Sequence, residues 1–360
     1  MPARKPTLAA PSLSSPAAMA PRATIADVAR AAGVSKATVS RFLNHRDRLL
    51  TRDIASKVER AVEALGYTPS PMAQALKRGR SRLIGLVVAD VTNPFSVAVL
   101  RGAEKACKDA GYLVMLFNLG NEGEREQEAI AALSSYQVDG LILNTLGRDA
   151  GAAAEAARHG KPAVLIDRRH PDMQSDFVSL DNVGAVRLAT QHLLDAGYRE
   201  LLYVSEPIAG VSSRTERDAA FRAFVAAHAP DVRGEVHESD GGTPEAMQAD
   251  MQSALRELKQ RAGDRPAAVL ASNAVISLRV ATAVAALGWR FGSDVGLVGF
   301  DDTDWAPLIG PGLSCIAQPT DDLGRVAARC LLERLQGLVL PPRQILLPGE
   351  LVVRGSSRRG

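Results

Sequence analysis

Lys36, Ala37, Thr38, Ser40, Arg41 and Asn44 fall on the outward side of any helix built over residues 35–44, with Val39, Phe42 and Leu43 turned inward. The outward set is short, hydroxylated or cationic. Such side chains can approach base edges and phosphate oxygens closely. Ser35 is placed to cap this helix, and Gly33 supplies the positive φ that a tight helix-to-helix turn requires. Upstream, Thr24 is a suitable N-cap, with Asp27 three residues on as a capping-box acid. Ile25, Val28, Ala29 and Ala32 form an apolar stripe behind it. The spacing predicts a helix-turn-helix, with Thr24 and Ser35 at the helix starts beside the outward residues.

A second set of candidates lies where apolar runs end in polar residues. Leu83–Ala89, Tyr112–Phe117, Gly140–Asn144, Ala163–Ile166, Leu201–Val204, Ala267–Leu270 and Val295–Gly299 are mostly continuous apolar runs, the pattern of parallel strands buried on both faces. Helical stretches alternate with them at about 96–110, 122–135, 183–196, 214–228, 244–262, 274–287 and 320–336. The alternation predicts doubly wound parallel α/β sheets, and the strand number predicts two of them. Ligands in such sheets sit at the carboxyl ends of strands. Here those ends carry Asp90 to Ser96, Asn144-Thr145, Asp167-Arg168-Arg169, Ser205-Glu206, Ser272-Asn273 and Asp301-Asp302, a set suited to a hydroxylated ligand.

Charge separates the two regions. Residues 1–82 hold 15 Lys and Arg against 5 Asp and Glu, a net of +10, whereas the remaining 28 basic and 35 acidic residues give −7. A basic head on an acidic body is the electrostatic footprint of a nucleic-acid reader joined to a separate module. No apolar run approaches a membrane span. Cys107, Cys315 and Cys330 are isolated, as in a reducing cytosol, and neither they nor the scattered histidines show metal-site spacing. No cofactor is expected. The chain lacks a Gly-x-Gly-x-x-Gly fingerprint after a strand, a P-loop and a Gly-x-Ser-x-Gly elbow, which argues against an enzyme. Residues 1–21, rich in Pro, Ala and Ser, are expected to form a disordered arm; prolines interrupt them too often for a signal peptide.

Beyond the turn, Thr51 caps a third predicted helix over about 51–65, with Ile54, Val58, Ala61, Val62 and Leu65 on one face and Gly66 closing it. Ser70 then caps a short helix with Pro71 at its first position and Gly79 at its end. The run Ile-Ala-Asp-Val-Ala…Gly-Val-Ser-Lys-Ala-Thr-Val-Ser-Arg, followed at this spacing by Gly-Tyr-Thr-Pro-Ser…Ala-Gln-Ala-Leu-Lys, resembles the lac-repressor family of sugar-responsive transcription regulators. The resemblance covers about 22–356. It implies a helix-turn-helix domain over 22–69, a hinge helix and linker over 70–82, and a two-lobed periplasmic-binding-protein-like core over 83–356.

The same resemblance implies a cytoplasmic homodimer on a pseudo-palindromic double-stranded operator. Lys36, Ala37 and Arg41 take the base-reading positions, with a phosphate contact an equal alternative for Lys36. Leu76 becomes a minor-groove wedge and Lys77 a phosphate contact, the alternative being that Leu76 packs on the core and the hinge is a plain linker. Effector positions carried over are Phe95, Ser96, Asp167, Arg168, Ser213, Arg217, Asn273, Asp301 and Gln318. Ala274 stands where relatives often have an aspartate. The runs Val138–Gly147, Ser205-Glu206-Pro207 and Ser212-Ser213-Arg214 resemble the branch controlling ketogluconate utilisation. With Arg168, Arg169, Arg214 and Arg217 about the cleft, a sugar acid such as 2-ketogluconate is the expected effector. The alternatives are a neutral sugar bound through Arg217, with the other arginines in solvent, or a sugar-binding protein without DNA binding.

Overall fold

A computed structural model describes residues 23–43, 50–68, 80–122, 125–147, 149–239 and 241–359. The expected arm at 1–21, Asn44 and the hinge stretch with Leu76 and Lys77 lie outside the described residues. The chain divides into two units between Gly79 and Arg80.

In the first unit, α1 (Ile25–Ala32), α2 (Lys36–Leu43) and α3 (Arg52–Ala64) enclose a small core of Val28, Ala29, Ala32, Val39, Val58 and Ala61. Thr24 and Asp27 close the expected capping box: the Thr24 N–H donates to Asp27 Oδ2 at 3.0 Å, and the Asp27 N–H donates to Thr24 Oγ1 at 3.4 Å. Gly33 takes φ +66° in the turn, and Thr51 caps α3 by accepting from the Ile54 N–H.

The second unit is two six-stranded sheets. The first lobe contains β1 (Leu83–Val88), α4 (Pro94–Asp109), β2 (Leu113–Asn118), α5 (Glu126–Ser135), β3 (Gly140–Asn144), α6 (Ala150–Arg158), β4 (Ala163–Ile166) and β5 (Asp176–Leu180). The second contains α7 (Asn182–Asp195), β6 (Glu200–Ser205), α8 (Ser212–Ala227), β7 (Arg233–Glu238), α9 (Pro244–Ala262), β8 (Ala267–Ala271), α10 (Ala274–Ala286), β9 (Gly296–Phe300) and β10 (Ser314–Ala317). The chain then returns to the first lobe for α11 (Thr320–Leu335) and β11 (Gln344–Leu347), and ends in the second with β12 (Glu350–Val352). Sheet orders are β11-β5-β4-β3-β1-β2 and β12-β10-β9-β8-β6-β7, parallel throughout except that β12 runs antiparallel to β10.

Three crossings therefore join the lobes, after β5, β10 and β11. The continuous apolar strands are fully buried, as in β3 and β8, and each such Leu, Ile or Val contributes about 1.5–3 kcal/mol. Helix α11 meets α4 at very close range. A Cβ on Gly102 would lie 2.1 Å from the Asp321 carbonyl oxygen, and one on Gly324 the same distance from that of Val99. This crossing fixes the α4 start, where Phe95 and Ser96 lie.

The sequence pattern did not predict β5, β7, β10 or α6. Strand β7 is an edge strand with no fully buried residue. Strand β5 is fully buried yet opens on Asp176, whose charge is met by Arg334 and Arg343, far away in sequence.

Candidate functional site

The α2 helix presents Lys36, Ala37 and Arg41 as exposed residues while Val39 is buried against α1 and α3. Thr38 and Ser40 are half-buried. Ser35 Oγ accepts from the Thr38 N–H at 3.1 Å and lies 2.9 Å from Thr38 Oγ1, so both hydroxyls are engaged in capping the helix. Lys36 and Arg41 are the long cations on this face.

In the second unit the carboxyl ends of the strands face one another across the lobes. Asp167 follows β4 with φ +66°, and Asp301 follows β9 with φ +72°. Left-handed backbone at two non-glycine residues stores strain of order 1 kcal/mol each, a cost typically retained at functional positions. Asp167 ion-pairs with Arg168 at 3.2 Å and accepts from Ser213 Oγ at 3.4 Å.

Arg217, on α8, is buried. Its Nε donates to Asn182 Oδ1 at 2.8 Å, one terminal nitrogen to the Ser272 carbonyl at 2.5 Å, and the other to Gln318 Oε1 at 3.5 Å. Its guanidinium lies over the Phe300 ring at 4.1 Å. Gln318 in turn donates to Asp301 Oδ1 at 2.6 Å, and the Ala274 N–H donates to Asp301 Oδ2 at 3.0 Å. Burial raises the Asp301 carboxyl above the ordinary range; Arg217 opposes this, and Asp167 adds to it from the other lobe. The two strand-end aspartates are thus within electrostatic reach of each other.

A cavity of about 530 Å³ opens between the lobes, with Phe95, Asp301 and Gln318 in its wall. Ser96 sits beside it, buried, with Oγ 3.5 Å from Asn144 Oδ1. Asn273 uses Oδ1 to cap α10 at Ile276 and Nδ2 to bond Glu206, so both ends of its amide already have partners.

The four arginines differ in a way that sequence did not convey. Arg168 pairs with Asp167, Arg169 with Glu216 at 3.7 Å and Arg214 with Glu206 at 2.6 Å. The expected excess of positive charge therefore reduces to Arg217, whose described hydrogen bonds all go to neutral oxygens. Sequence reasoning missed Asn182, which holds Arg217 from the first turn of α7, and Arg101 and Trp305 in the cavity wall. Trp305 was the easiest to find. It is one of two tryptophans in the chain and lies four residues beyond Asp301.

Among the described residues no helix is long and apolar enough to cross a membrane. Residues 24–70 match the bacterial regulatory proteins of the lacI family, and residues 190–357 match the periplasmic binding protein-like domain. The HTH-type transcriptional regulator PtxS of Pseudomonas plecoglossicida is 46% identical over 336 residues, spanning 93% of this chain and 96% of its own. The HTH-type transcriptional regulator KdgR of Bacillus subtilis is 38% identical over 333 residues, 92% of this chain and 97% of its own. The crystal structure of the lac repressor dimer bound to operator and the anti-inducer ONPF superposes with a TM-score of 0.80 at 26% identity, covering 94% of this chain and all of that one. With a basic helix-turn-helix followed by a two-lobed α/β unit, the chain belongs to the lacI family and is a DNA-binding transcription regulator rather than an enzyme.

Proposed function

We propose that the protein is a cytoplasmic repressor of sugar-acid catabolism whose effector is 2-ketogluconate or a related gluconate derivative. The observation that carries this is Arg217. Its buried guanidinium, whose described hydrogen bonds all go to neutral oxygens and which lies within electrostatic reach of Asp301, is suited to an anionic ligand, since arginine favours bidentate carboxylate binding. In this reading Arg217, with Arg168, meets the carboxylate; Asp301, Asn273, Gln318, Asp167 and Ser213 serve hydroxyls, and Phe95 and Ser96 close the site. The pairing of Arg168, Arg169 and Arg214 with carboxylates favours a second reading, in which Arg217 binds the hydroxyls of a neutral sugar.

On DNA the protein acts as a homodimer on a pseudo-palindromic operator, with domains at 22–69, 70–82 and 83–356. Arg41 makes a bidentate guanine contact worth about 1–3 kcal/mol of discrimination, and Leu76 and Lys77 act at the minor groove and its phosphates. Exposed Leu113 and Leu116 on edge strand β2, with Leu278 and Leu308 in the second lobe, supply apolar surface for pairing two copies. Effector binding changes the lobe angle and with it the affinity for the operator, release being the commoner behaviour of the family and strengthening the alternative.

Calorimetry against 2-ketogluconate, gluconate, glucose and ribose tests the effector. The acids are expected to bind more tightly, and Arg217→Ala to weaken 2-ketogluconate by about 10- to 100-fold, the worth of hydrogen bonds to a charged group. Tighter binding of ribose or glucose transfers the assignment to neutral sugars.

A further inference from the structure

We propose that Asp139 is a positioning residue: it fixes the point at which the polypeptide enters the effector-binding unit and so couples the cleft to the DNA-binding part of the chain. Asp139 is buried and immediately precedes β3. Its carboxylate accepts three hydrogen bonds from the first residues of the unit. The Ser81 N–H and Oγ donate to Oδ1 at 2.9 and 3.0 Å, and the Arg82 N–H donates to Oδ2 at 3.0 Å.

The Asp139 N–H donates to the Leu83 carbonyl at 2.7 Å, and the Leu113 N–H to that of Arg82 at 2.9 Å, so residues 81–83 are held from both sides. Arg80 adds a bond from its guanidinium to the Leu335 carbonyl at 2.8 Å, at the end of α11. Arg82 has φ +56°, a conformation that a non-glycine residue keeps only where its surroundings impose it. The carboxylate clamp is what imposes it here.

The strand that carries the clamp also reaches the cleft. Five residues after Asp139, Asn144 donates to the Ile166 carbonyl at 3.2 Å beside Ser96, and Arg168 donates to the Thr145 carbonyl at 3.4 Å. Strand β3 is fully buried between β1 and β4, so it behaves as a stiff rod about 17 Å long with the cleft at one end and the clamp at the other. A shift of the cleft end on ligand binding is delivered to Ser81 and Arg82 rather than absorbed by loops. This inference rests on the effector-regulated reading above.

Asp139→Asn leaves one acceptor oxygen where there were two and turns an amide NH2 toward a backbone N–H. The experiment uses full-length protein, an operator selected in vitro from random DNA by the wild type, and 2-ketogluconate as the probe. In the wild type, saturating 2-ketogluconate is expected to change operator affinity. In Asp139→Asn that change should shrink about tenfold while 2-ketogluconate affinity in the absence of DNA stays within about twofold. Ser81→Ala, which removes one of the three bonds, should shrink it about threefold, and it decides the matter if Asp139→Asn does not fold.

A variant that keeps the full wild-type response overturns the proposal. So does one that loses ligand affinity in parallel, since that marks a merely structural role. If the wild type itself ignores 2-ketogluconate, the effector assignment fails separately. The clamp is then judged by effector-free operator affinity, expected to fall at least about fivefold in Asp139→Asn, and an unchanged value overturns it.

Discussion

The two lobes of the effector unit have the same strand order, β1 to β5 in one matching β6 to β10 in the other, yet they anchor equivalent positions by different chemistry. Strands β5 and β10 occupy the same place in their sheets. The first begins with Asp176, bonded by Arg334 and Arg343 at 2.8 and 2.9 Å. The second begins with Ser314, whose hydroxyl lies 2.7 Å from Ser357 Oγ and accepts from the Arg354 N–H at 2.8 Å. At the carboxyl ends of the neighbouring strands β4 and β9, Asp167 has a salt-bridge partner in Arg168, whereas Asp301 is bonded by Gln318 and the Ala274 N–H. One topology thus accepts either ionic or neutral anchoring at matching positions, and the choice sets how each lobe responds to acid and salt.

The largest test of this contrast is Asp176→Asn. Burial works against the Asp176 charge, but hydrogen bonds from Arg334 and Arg343 outweigh it and hold the carboxyl well below the ordinary range. A folded-state value below the unfolded one contributes stability above the usual carboxylate range, near pH 4, and that contribution is lost as pH falls toward the folded value. Asp176→Asn is expected to cost about 3 kcal/mol in urea unfolding at neutral pH and to flatten the acid limb. Ser314→Ala comes next, at about 1–2 kcal/mol, because the Arg354 N–H loses its acceptor; the loss should be the same in low and high salt.

Asp301→Asn should have the smallest effect, under about 1 kcal/mol at neutral pH, since removing a charge that burial disfavours offsets a weakened hydrogen bond. Its sign with pH is opposite to that of Asp176. The raised carboxyl favours the fold at low pH, and the advantage fades as pH rises from the ordinary carboxylate range through the folded value, so the variant gains on the wild type across that window. If Asp301→Asn and Asp176→Asn gave parallel pH curves, the contrast between the lobes would be broken.

Strands β3 and β4 and helix α9 have the boundaries read from sequence, because their apolar pattern is unbroken and their flanks are clear turns or caps. Strand β5 was hidden because the charge at its start is neutralised by residues 158 and 167 positions away, a compensation that no local pattern can display. Candidate site residues show the same division. Sequence placed Asp167, Arg168, Arg217 and Asp301 near strand ends or helix starts, but pairing decides what a charge is free to do. Glu206, read from sequence as a strand-end residue facing a ligand, is instead taken up by Arg214, and Glu216 engages Arg169. Asn182 carries no sequence signal for the bond it accepts from Arg217, 35 positions away.

The close crossing of α4 and α11 bears on synthesis as well as on structure. The core of the first lobe joins Val99, Ala103 and Ile142 to Leu323, Ala327 and Leu331, and roughly 140 residues separate β5 from α11. At about 5–20 residues per second the ribosome takes on the order of 7–28 s to make that interval. Throughout it the α4 face is uncovered. The first lobe is therefore closed only after β6 to β10 of the second have been made, and its nascent form exposes apolar surface until α11 arrives.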